Sequence, residues 1–391
     1  MGGALLLAWL IVRTSAVDAL EARNPFAAAA VAPSHPNVQI AMAETEFALR
    51  GGRVSPSSQS AAEKALAGAP LAAEPFLLAG VAAIAAGNEA RGERLLVEAR
   101  RRNPRSRRAH LFLLDRNLRA NRVEETVAGI ATLYRLTHQA GVVLIPELAR
   151  MVQQPVTGAP LIRVLGRDRR TQQAVMEQLA RDGADPDLIL KIANAGGETG
   201  GGPRGAPWQG LLLASLIEKG DVGRAYGIWR GLTGQAGSAP SKGVYDGQFR
   251  GLPGDPPFNW QLLSAAAGVA ERTATSSLQV EYYGRERADL AYQLLMLAPG
   301  RYRFQSRAEG DAPGEGSKLA WTLTCRTGGT QLAAFPLANI GSAPRILGGN
   351  FVVPGSGCAA QWLKLSGAPA EFPTAQSATI SDVRIDPWGA K

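Results

Sequence analysis

The sequence is poor in metal-binding residues and in long hydrophobic runs. It has two cysteines and three histidines in 391 residues, too few for a Cys/His zinc module or an iron–sulfur cluster. No run of about 18 apolar residues is present, which excludes a polytopic membrane protein. We therefore expect no metal site and no cofactor.

Lysine is scarce as well, so arginine supplies almost all of the positive charge. There are 7 Lys and 35 Arg against 33 acidic residues, a net charge of +9. This charge is modest for the chain length, and we expect no nucleic-acid partner. The arginines are concentrated between Glu89 and Arg122, and the predicted anionic-partner patch consists of Arg100, Arg101, Arg102, Arg105, Arg107 and Arg108. The alternative interpretation is a solvated helix face and turn.

The amino terminus carries a short apolar segment, Ala4 to Val12, closed by Arg13. Nine helical residues cover roughly 14 Å of a hydrocarbon core about 30 Å thick. The segment resembles the core of a signal peptide, or one half of an anchor whose first half lies further upstream. We favour a retained anchor in residues 1–30, which places the protein at the inner membrane on the periplasmic side. A short buried helix of a cytosolic protein is the alternative.

The two cysteines, Cys325 and Cys358, both lie in the last third of the chain. An even pair within one small β-rich unit is typical of a structural disulfide in an oxidising compartment. The sequence predicts this disulfide, with two buried thiols that never meet as the alternative.

Aromatic residues mark a change of fold type along the chain. The first 243 residues contain nine Phe, Trp or Tyr, whereas the last 148 contain fifteen. Aromatic residues favour strands, and the upstream segments have helical spacing while the downstream segments alternate. We predict helices over 31–232, a linker over 233–243 and strands over 244–391.

A period of 34 residues appears in the helical half, where Pro70 and Pro104 are one period apart. The unit ending at Pro104 has Gly80 in a first helix, Gly87 at a turn and Ala99 in a second helix. This pattern resembles a tetratricopeptide repeat, with degenerate units on either side. The resemblance implies an α-solenoid of helical hairpins whose concave face holds a protein partner.

After Gly243 the sequence resembles the opening of galactose-binding-like carbohydrate-binding modules, in which an Asn-Gly-x-Phe-Glu strand precedes a loop and a Trp. Here Asp246 and Arg250 replace the usual Asn and Glu, and the Trp is Trp260. About eight alternating runs follow, enough for a jelly roll. The predicted fold class is therefore a helical repeat domain followed by an antiparallel β-sandwich.

The resemblance implies that exposed aromatic side chains stack on sugar rings while amides bind hydroxyl groups. The candidates for carbohydrate binding are Asn259, Trp260, Tyr283, Gln361 and Trp362. Alternating aromatic residues of a sandwich are more often core. Tyr282 and Tyr283 are adjacent and must point to opposite faces, so one of them lies at the surface or under a loop.

No arrangement of residues predicts catalysis. All three histidines lie in the helical half, so the sandwich contains no Ser-His-Asp triad, and Gly-x-Ser-x-Gly is absent. A glycosidase site made of two carboxylates has no sequence signature, so this alternative stays open. We expect a non-catalytic, membrane-tethered and exported scaffold that binds protein through its helices and glycan or protein through the sandwich. Such a protein suits the synthesis or export of surface polysaccharide or exopolysaccharide. The alternative is a cytosolic adaptor or regulator whose arginine-rich face binds a polyanion or an acidic protein.

Overall fold

The structure is a computed structural model that describes residues 15, 17, 19–21, 23–197, 205–235, 243–312, 316 and 318–389. The predicted anchor at Ala4 to Val12 lies outside the described residues, as do residues 236–242 of the predicted linker. Within the described part of the chain, we find no helix that combines the length and the hydrophobicity needed to span a bilayer.

The described residues before the sandwich form thirteen helices. They are α1 (Pro25–Val31), α2 (Pro36–Leu49), α3 (Pro56–Ala65), α4 (Glu74–Ala85), α5 (Glu89–Arg102), α6 (Arg107–Arg119), α7 (Val123–Leu136), α8 (His138–Val152), α9 (Pro155–Leu165), α10 (Arg169–Arg181), α11 (Pro186–Ala195), α12 (Pro207–Glu218) and α13 (Val222–Leu232).

Local sequence explains where the helices of the α4–α5 hairpin begin and end. Gly87 adopts a positive φ of 84° in the turn, a conformation that glycine reaches without steric cost. The Asn88 side chain then accepts a hydrogen bond from the Arg91 N–H and caps α5. A Cβ on Gly92 would lie 2.8 Å from the Gly80 carbonyl oxygen, so these two glycines let the helices pack closely. The predicted positions of Gly80 in a first helix and Gly87 at the turn are confirmed, while the tetratricopeptide-repeat resemblance stays a prediction.

The contacts group the chain into two compact units, residues 1–171 and residues 172–391. In the first unit, helices contact the next one or two helices in sequence. The second unit contains α10 from Gln172 onward, α11, α12, α13 and all of the strands. The last helices therefore belong to the same unit as the strands, whereas the predicted helical domain extends to residue 232. The predicted division into domains stays a prediction.

Eleven antiparallel strands follow among the described residues. They are β1 (Gln261–Leu262), β2 (Ser264–Ala265), β3 (Gly268–Arg272), β4 (Leu278–Tyr282), β5 (Ala288–Leu295), β6 (Gly300–Asp311), β7 (Lys318–Cys325), β8 (Gln331–Pro336), β9 (Arg345–Val353), β10 (Gln361–Ala368) and β11 (Gln376–Pro387). One sheet has the order β1-β5-β10-β7-β8 and the other β2-β3-β4-β11-β6-β9.

The two sheets enclose one aromatic-rich core. Tyr282, Phe304 and Trp321 are fully buried, and Trp321 contacts both Phe304 and Trp260 with ring centroids 5.9 and 5.8 Å apart. Burial alternates along β4 and β7 as the sequence pattern predicts. The predicted order of helices and then a β-sandwich is confirmed.

The predicted disulfide is present between Cys325 at the end of β7 and Cys358 before β10. Their Cα atoms are 5.0 Å apart, and both residues are buried. The bond joins the end of one strand to the loop that leads into its neighbour in the same sheet.

The last helix, α13, packs against the loop that opens the sandwich. The Trp229 indole N–H donates a 3.0 Å hydrogen bond to the Asp255 carbonyl. The same indole lies edge-on to the Tyr245 ring, and the Phe258 ring is 5.8 Å away by centroid. An apolar and hydrogen-bonded contact therefore holds α13 against the loop that precedes the strands.

Candidate functional site

The outer face of the five-stranded sheet carries a patch of partly exposed aromatic and polar side chains. Strand β10 lies in the middle of this sheet and alternates between buried and partly exposed residues. Its partly exposed residues include Trp362, Lys364 and Ser366. Because residues paired directly across antiparallel strands share a face, their partners complete the patch.

The pairing arranges these residues in three rows across the sheet. Trp362 stands between Leu294 of β5 and Thr324 of β7. Lys364 stands between Tyr292 and Thr322, and Gln261 of β1 lies beyond Tyr292. Ser366 stands opposite Asp289. We call this set the outer patch, and it consists of Gln261, Asp289, Tyr292, Thr322, Thr324, Trp362, Lys364 and Ser366.

The aromatic centre of the outer patch is the pair Tyr292 and Trp362. Their ring centroids are 5.7 Å apart and their planes meet at 81°, an edge-to-face contact that is favoured between aromatic rings. Both residues are partly exposed, so their rings reach the surface of a sheet whose opposite face is core. The pair therefore presents rigid apolar surface to solvent.

Polar side chains surround this pair at close range. The Lys364 ammonium lies 2.6 Å from an Asp289 carboxylate oxygen and 6.0 Å from the centroid of the Trp362 ring. The Ser366 hydroxyl donates a 2.6 Å hydrogen bond to the other Asp289 oxygen. Lysine, carboxylate and hydroxyl groups are thus held beside the two rings. This combination can bind a ligand that has both an apolar face and several hydroxyl groups.

Trp362 is the one predicted carbohydrate-binding residue that belongs to the outer patch. Tyr283 is 38% exposed while Tyr282 is fully buried, so the predicted opposition of the two tyrosines is confirmed. Tyr283 follows β4 in the six-stranded sheet, however, whereas Trp362 lies in the five-stranded sheet. The structure therefore does not bring these two aromatic residues onto one sheet.

Trp260 and Asn259 are buried residues of the sandwich. The Trp260 indole packs in the core and donates its N–H to the Asp246 carbonyl at 3.0 Å. The Asn259 amide donates to the carbonyls of Leu252 and Gly254 and so holds the preceding loop. Neither side chain offers a surface to a ligand, which corrects their prediction as sugar contacts.

Gln361 is also a structural residue. Its side chain is fully buried, accepts the Leu297 N–H at 2.9 Å and donates to the Leu297 carbonyl at 3.3 Å. It also donates to the Cys358 carbonyl. These bonds satisfy its amide and tie the disulfide loop to the strand end, so its prediction as a sugar contact is corrected by burial.

Hydrogen-bond donors surround the side chain of Asp246, and we call this segment the Asp246 turn. The buried Asp246 carboxylate accepts the N–H groups of Arg250, Gly251 and Leu252 at 2.8, 3.0 and 3.3 Å. The Arg272 guanidinium lies 3.4 Å away. N–H donors occupy the places where a cation would need oxygen ligands. Among the described residues, no group of three or more acidic, histidine or cysteine side chains could hold a metal ion.

The arginine patch lies at the end of α5 and the start of α6. Arg102 pairs with Glu98 at 2.8 Å and Arg108 pairs with Glu44 at 2.8 Å. Arg101 reaches Glu98 only at 3.8 Å, and its side chain is 82% exposed. Arg100, Arg105 and Arg107 are exposed and have no ion pair within the described part of the chain.

Comparison with known proteins gives only distant similarities. The sequence matches no family model and no curated protein. Similar solved structures include a family 4 carbohydrate-binding module, at 14% identity and a TM-score of 0.28 over 37% of this chain and 99% of the other. A family 61 module in complex with β-1,4-galactotriose has 15% identity and a TM-score of 0.25 over 38% and 99%. The C-terminal family 22 module of Clostridium thermocellum Xyn10B has 16% identity and a TM-score of 0.27 over 39% and 99%. Such low TM-scores and identities imply nothing about the ligand of this chain.

Proposed function

We propose that this protein is a non-catalytic, exported adaptor whose sandwich binds glycan on the outer patch. The observation that carries the proposal is the partly exposed pair of Tyr292 and Trp362 on the face of a sheet. In the same proposal the helical unit recruits a protein partner, and the segment Ala4 to Val12 tethers the chain to the inner membrane. Synthesis or export of surface polysaccharide would use these three properties together.

The chemistry of a sugar ring matches the outer patch. A pyranose has an apolar face of C–H groups and a rim of hydroxyl groups. The rings of Tyr292 and Trp362 supply apolar surface for the former at low conformational cost, since each side chain is already held by its neighbour. Lys364 and Asp289 supply a donor and an acceptor for the latter.

The disulfide supports export. Cys325 and Cys358 are bonded, and structural disulfides persist in oxidising compartments but are rare in the cytosol. A periplasmic location on the outer side of the inner membrane agrees with both this bond and the apolar segment.

A groove in the first unit supports a protein partner. It encloses about 440 Å³ between α1, α2 and α3, and its lining includes Phe26, Met42 and Leu49. Phe26 is 58% exposed and Leu49 is 76% exposed. Exposed apolar side chains grouped beside a groove are typical of protein-binding surfaces.

The test is binding of the full chain to an array of polysaccharides and oligosaccharides, followed by titration calorimetry on each hit. We expect Trp362→Ala and Tyr292→Ala each to weaken binding by about ten- to a hundred-fold, because each removes a central contact. Tyr283→Ala and Trp388→Ala remove exposed aromatic side chains elsewhere in the sandwich and serve as matched controls. Equal losses in all four variants, or an array with no hit, would overturn glycan binding at this patch.

The second candidate is a cytosolic adaptor that binds an acidic protein or a polyanion, and the unpaired arginines favour it. Counting free thiols in membrane and soluble fractions, with and without reductant, separates the two. An oxidised Cys325–Cys358 pair in the membrane fraction supports the exported adaptor. Two free thiols in soluble protein support the cytosolic one.

A further inference from the structure

Exposed arginines at the α5–α6 turn lie where the start of a helix disfavours positive charge. Arg107 and Arg108 occupy the first turn of α6, and no acidic residue lies in that turn. The N-terminus of a helix carries a partial positive charge, so cations there reduce its stability. Arg108 is compensated by Glu44, whereas Arg107 has no acidic partner among the described residues.

The acidic side chains near these arginines already form ion pairs with other arginines. Glu98 lies 2.8 Å from Arg102 and 3.8 Å from Arg101, and Glu44 is bound to Arg108. Positive charge at Arg100, Arg105 and Arg107 is therefore left without a partner in the described part of the chain. We call these three residues, together with the highly exposed Arg101, the basic turn.

An exposed leucine lies in a loop that Arg102, beside the basic turn in sequence, contacts at the end of α5. Leu71, in the loop between α3 and α4, is 85% exposed. The Arg102 side chain donates a hydrogen bond to the carbonyl of Pro70, the residue before Leu71, and its guanidinium lies 4.1 Å from the centroid of the Phe76 ring. These contacts bring the leucine loop against the end of α5, where Arg100 and Arg101 are located.

Further apolar side chains are mixed with these arginines. Leu111 is 50% exposed and follows Arg107 by four residues, so both lie on one face of α6. Val97 is 40% exposed and precedes Arg101 by four residues on α5. Exposed apolar side chains interspersed with arginines match a bilayer surface, where the apolar groups enter the interface and the cations meet the headgroups.

We propose that the basic turn and Leu71 bind the surface of an anionic phospholipid bilayer. The proposal rests on the membrane tether of the proposed function and adds a second point of attachment to it. Attachment to a bilayer is strengthened where an apolar insertion is combined with a polybasic patch. The sequence carries both the apolar segment Ala4 to Val12 and the basic turn.

The test is co-sedimentation of the full chain with vesicles of pure phosphatidylcholine and with vesicles that also contain phosphatidylglycerol. The apolar segment contributes to binding of both vesicles, so the quantity to compare is the ratio of the two partition coefficients. The test variant is Arg100→Gln/Arg105→Gln/Arg107→Gln. We expect it to lower this ratio by about 100-fold, or about five-fold for each arginine near an anionic surface.

The matched control is Arg53→Gln/Arg163→Gln/Arg307→Gln, which changes the net charge equally at exposed residues outside the basic turn. A control that lowers the ratio as much as the test variant would overturn the proposal, since net charge would then be sufficient. Wild-type protein that shows no preference for anionic vesicles, or that binds soluble dextran sulfate but not vesicles, would also overturn it.

A second variant tests the apolar part and does not depend on the arginine changes. We expect Leu71→Ser to weaken binding to anionic vesicles several-fold without a change in salt dependence, because the leucine carries no charge. Unchanged binding would contradict the role of Leu71. The vesicles contain no glycan, so failure here leaves glycan binding at Trp362 to be judged by its own assay.

Discussion

The Trp229 indole meets the Tyr245 ring edge to face, with ring centroids 4.8 Å apart and planes at 87°. Trp229 lies in the last helix and Tyr245 lies in the loop that opens the sandwich, so the contact joins the helical part of the chain to the sandwich. A Cβ on Gly254 would lie 2.9 Å from the indole, and its absence leaves room for the ring. Helix α13 therefore packs against the loop that opens the sandwich.

We predict that Trp229→Ala lowers the free energy of unfolding by about 3–5 kcal/mol, as expected for removing a fully buried large aromatic side chain. The indole also loses its hydrogen bond to Asp255. Guanidinium unfolding followed by circular dichroism measures the change. Trp388→Ala is the control, because Trp388 is 46% exposed. Equal effects of the two substitutions would contradict the packing described for α13.

The disulfide gives a second prediction. Cys325 and Cys358 are 33 residues apart, and closing such a loop stabilises the folded state by about 3–4 kcal/mol in the chain-entropy estimate. The double variant Cys325→Ser/Cys358→Ser should lose about this much stability in urea unfolding. Reductant should destabilise the wild-type protein and leave the double variant unchanged. A wild-type unfolding curve that does not respond to reductant would refute the stabilising role.

The Asp246 turn gives a third prediction. Replacement by Ala leaves three backbone N–H groups and the Arg272 guanidinium without their acceptor, which should cost about 2–4 kcal/mol in thermal or denaturant unfolding. Asp246→Asn keeps one acceptor oxygen and should cost less. The exposed Asp386→Ala is the control. If Asn were as damaging as Ala, the hydrogen bonds to the carboxylate would not explain the loss.

The fourth prediction concerns pH. Burial raises the pKa of the Asp255 carboxyl above its ordinary value of 3.8, and a hydrogen bond from the Gly205 N–H partly opposes this rise. Between the ordinary and the raised pKa the folded chain holds more protons than the unfolded chain. The free energy of unfolding therefore falls as pH rises through that window.

Asp255→Asn removes this titration. We expect the variant to lose less stability than the wild-type protein between acidic and neutral pH. Unfolding midpoints measured across this range test the difference, with exposed Asp311→Asn as the control. A fall in stability that is as steep in Asp255→Asn as in the wild-type protein would show that another group is responsible.

Alternation along the strands predicted the sandwich but could not show which face of a strand meets the core. Tyr292 and Leu294 share a face, as their spacing indicates, yet that face is the outer one. Leu294 is buried there, and its N–H donates to the Pro257 carbonyl of the opening loop. The inward residue between them is Gln293, whose amide is satisfied by the backbone of Tyr245 at 2.9 Å in both directions. The sequence did not identify Tyr292 as a site residue because the neighbouring core position is occupied by a polar residue, Gln293.

Candidate site residues were harder to predict for the same reason. Trp260 and Trp362 are both tryptophans in strand-rich sequence, but one lies in the core and the other on the outer patch. Gln361 precedes Trp362 and, by alternation, takes the opposite face. Both residues were nevertheless predicted as sugar contacts, because the hydrogen bonds that hold Gln361 in the core involve Leu297, 64 positions away in the sequence.

The contact between α13 and the opening loop also determines how the sandwich must be produced in isolation. A fragment that begins at Gly243 would leave Tyr245 and Phe258 without their helical partner and expose aromatic surface, which favours aggregation. A fragment that starts at Arg169, the first residue of α10, keeps α10, α11, α12 and α13 with the strands. If a short sandwich fragment misfolds, calorimetry would detect no glycan binding, and this result would say nothing about the outer patch of the full chain.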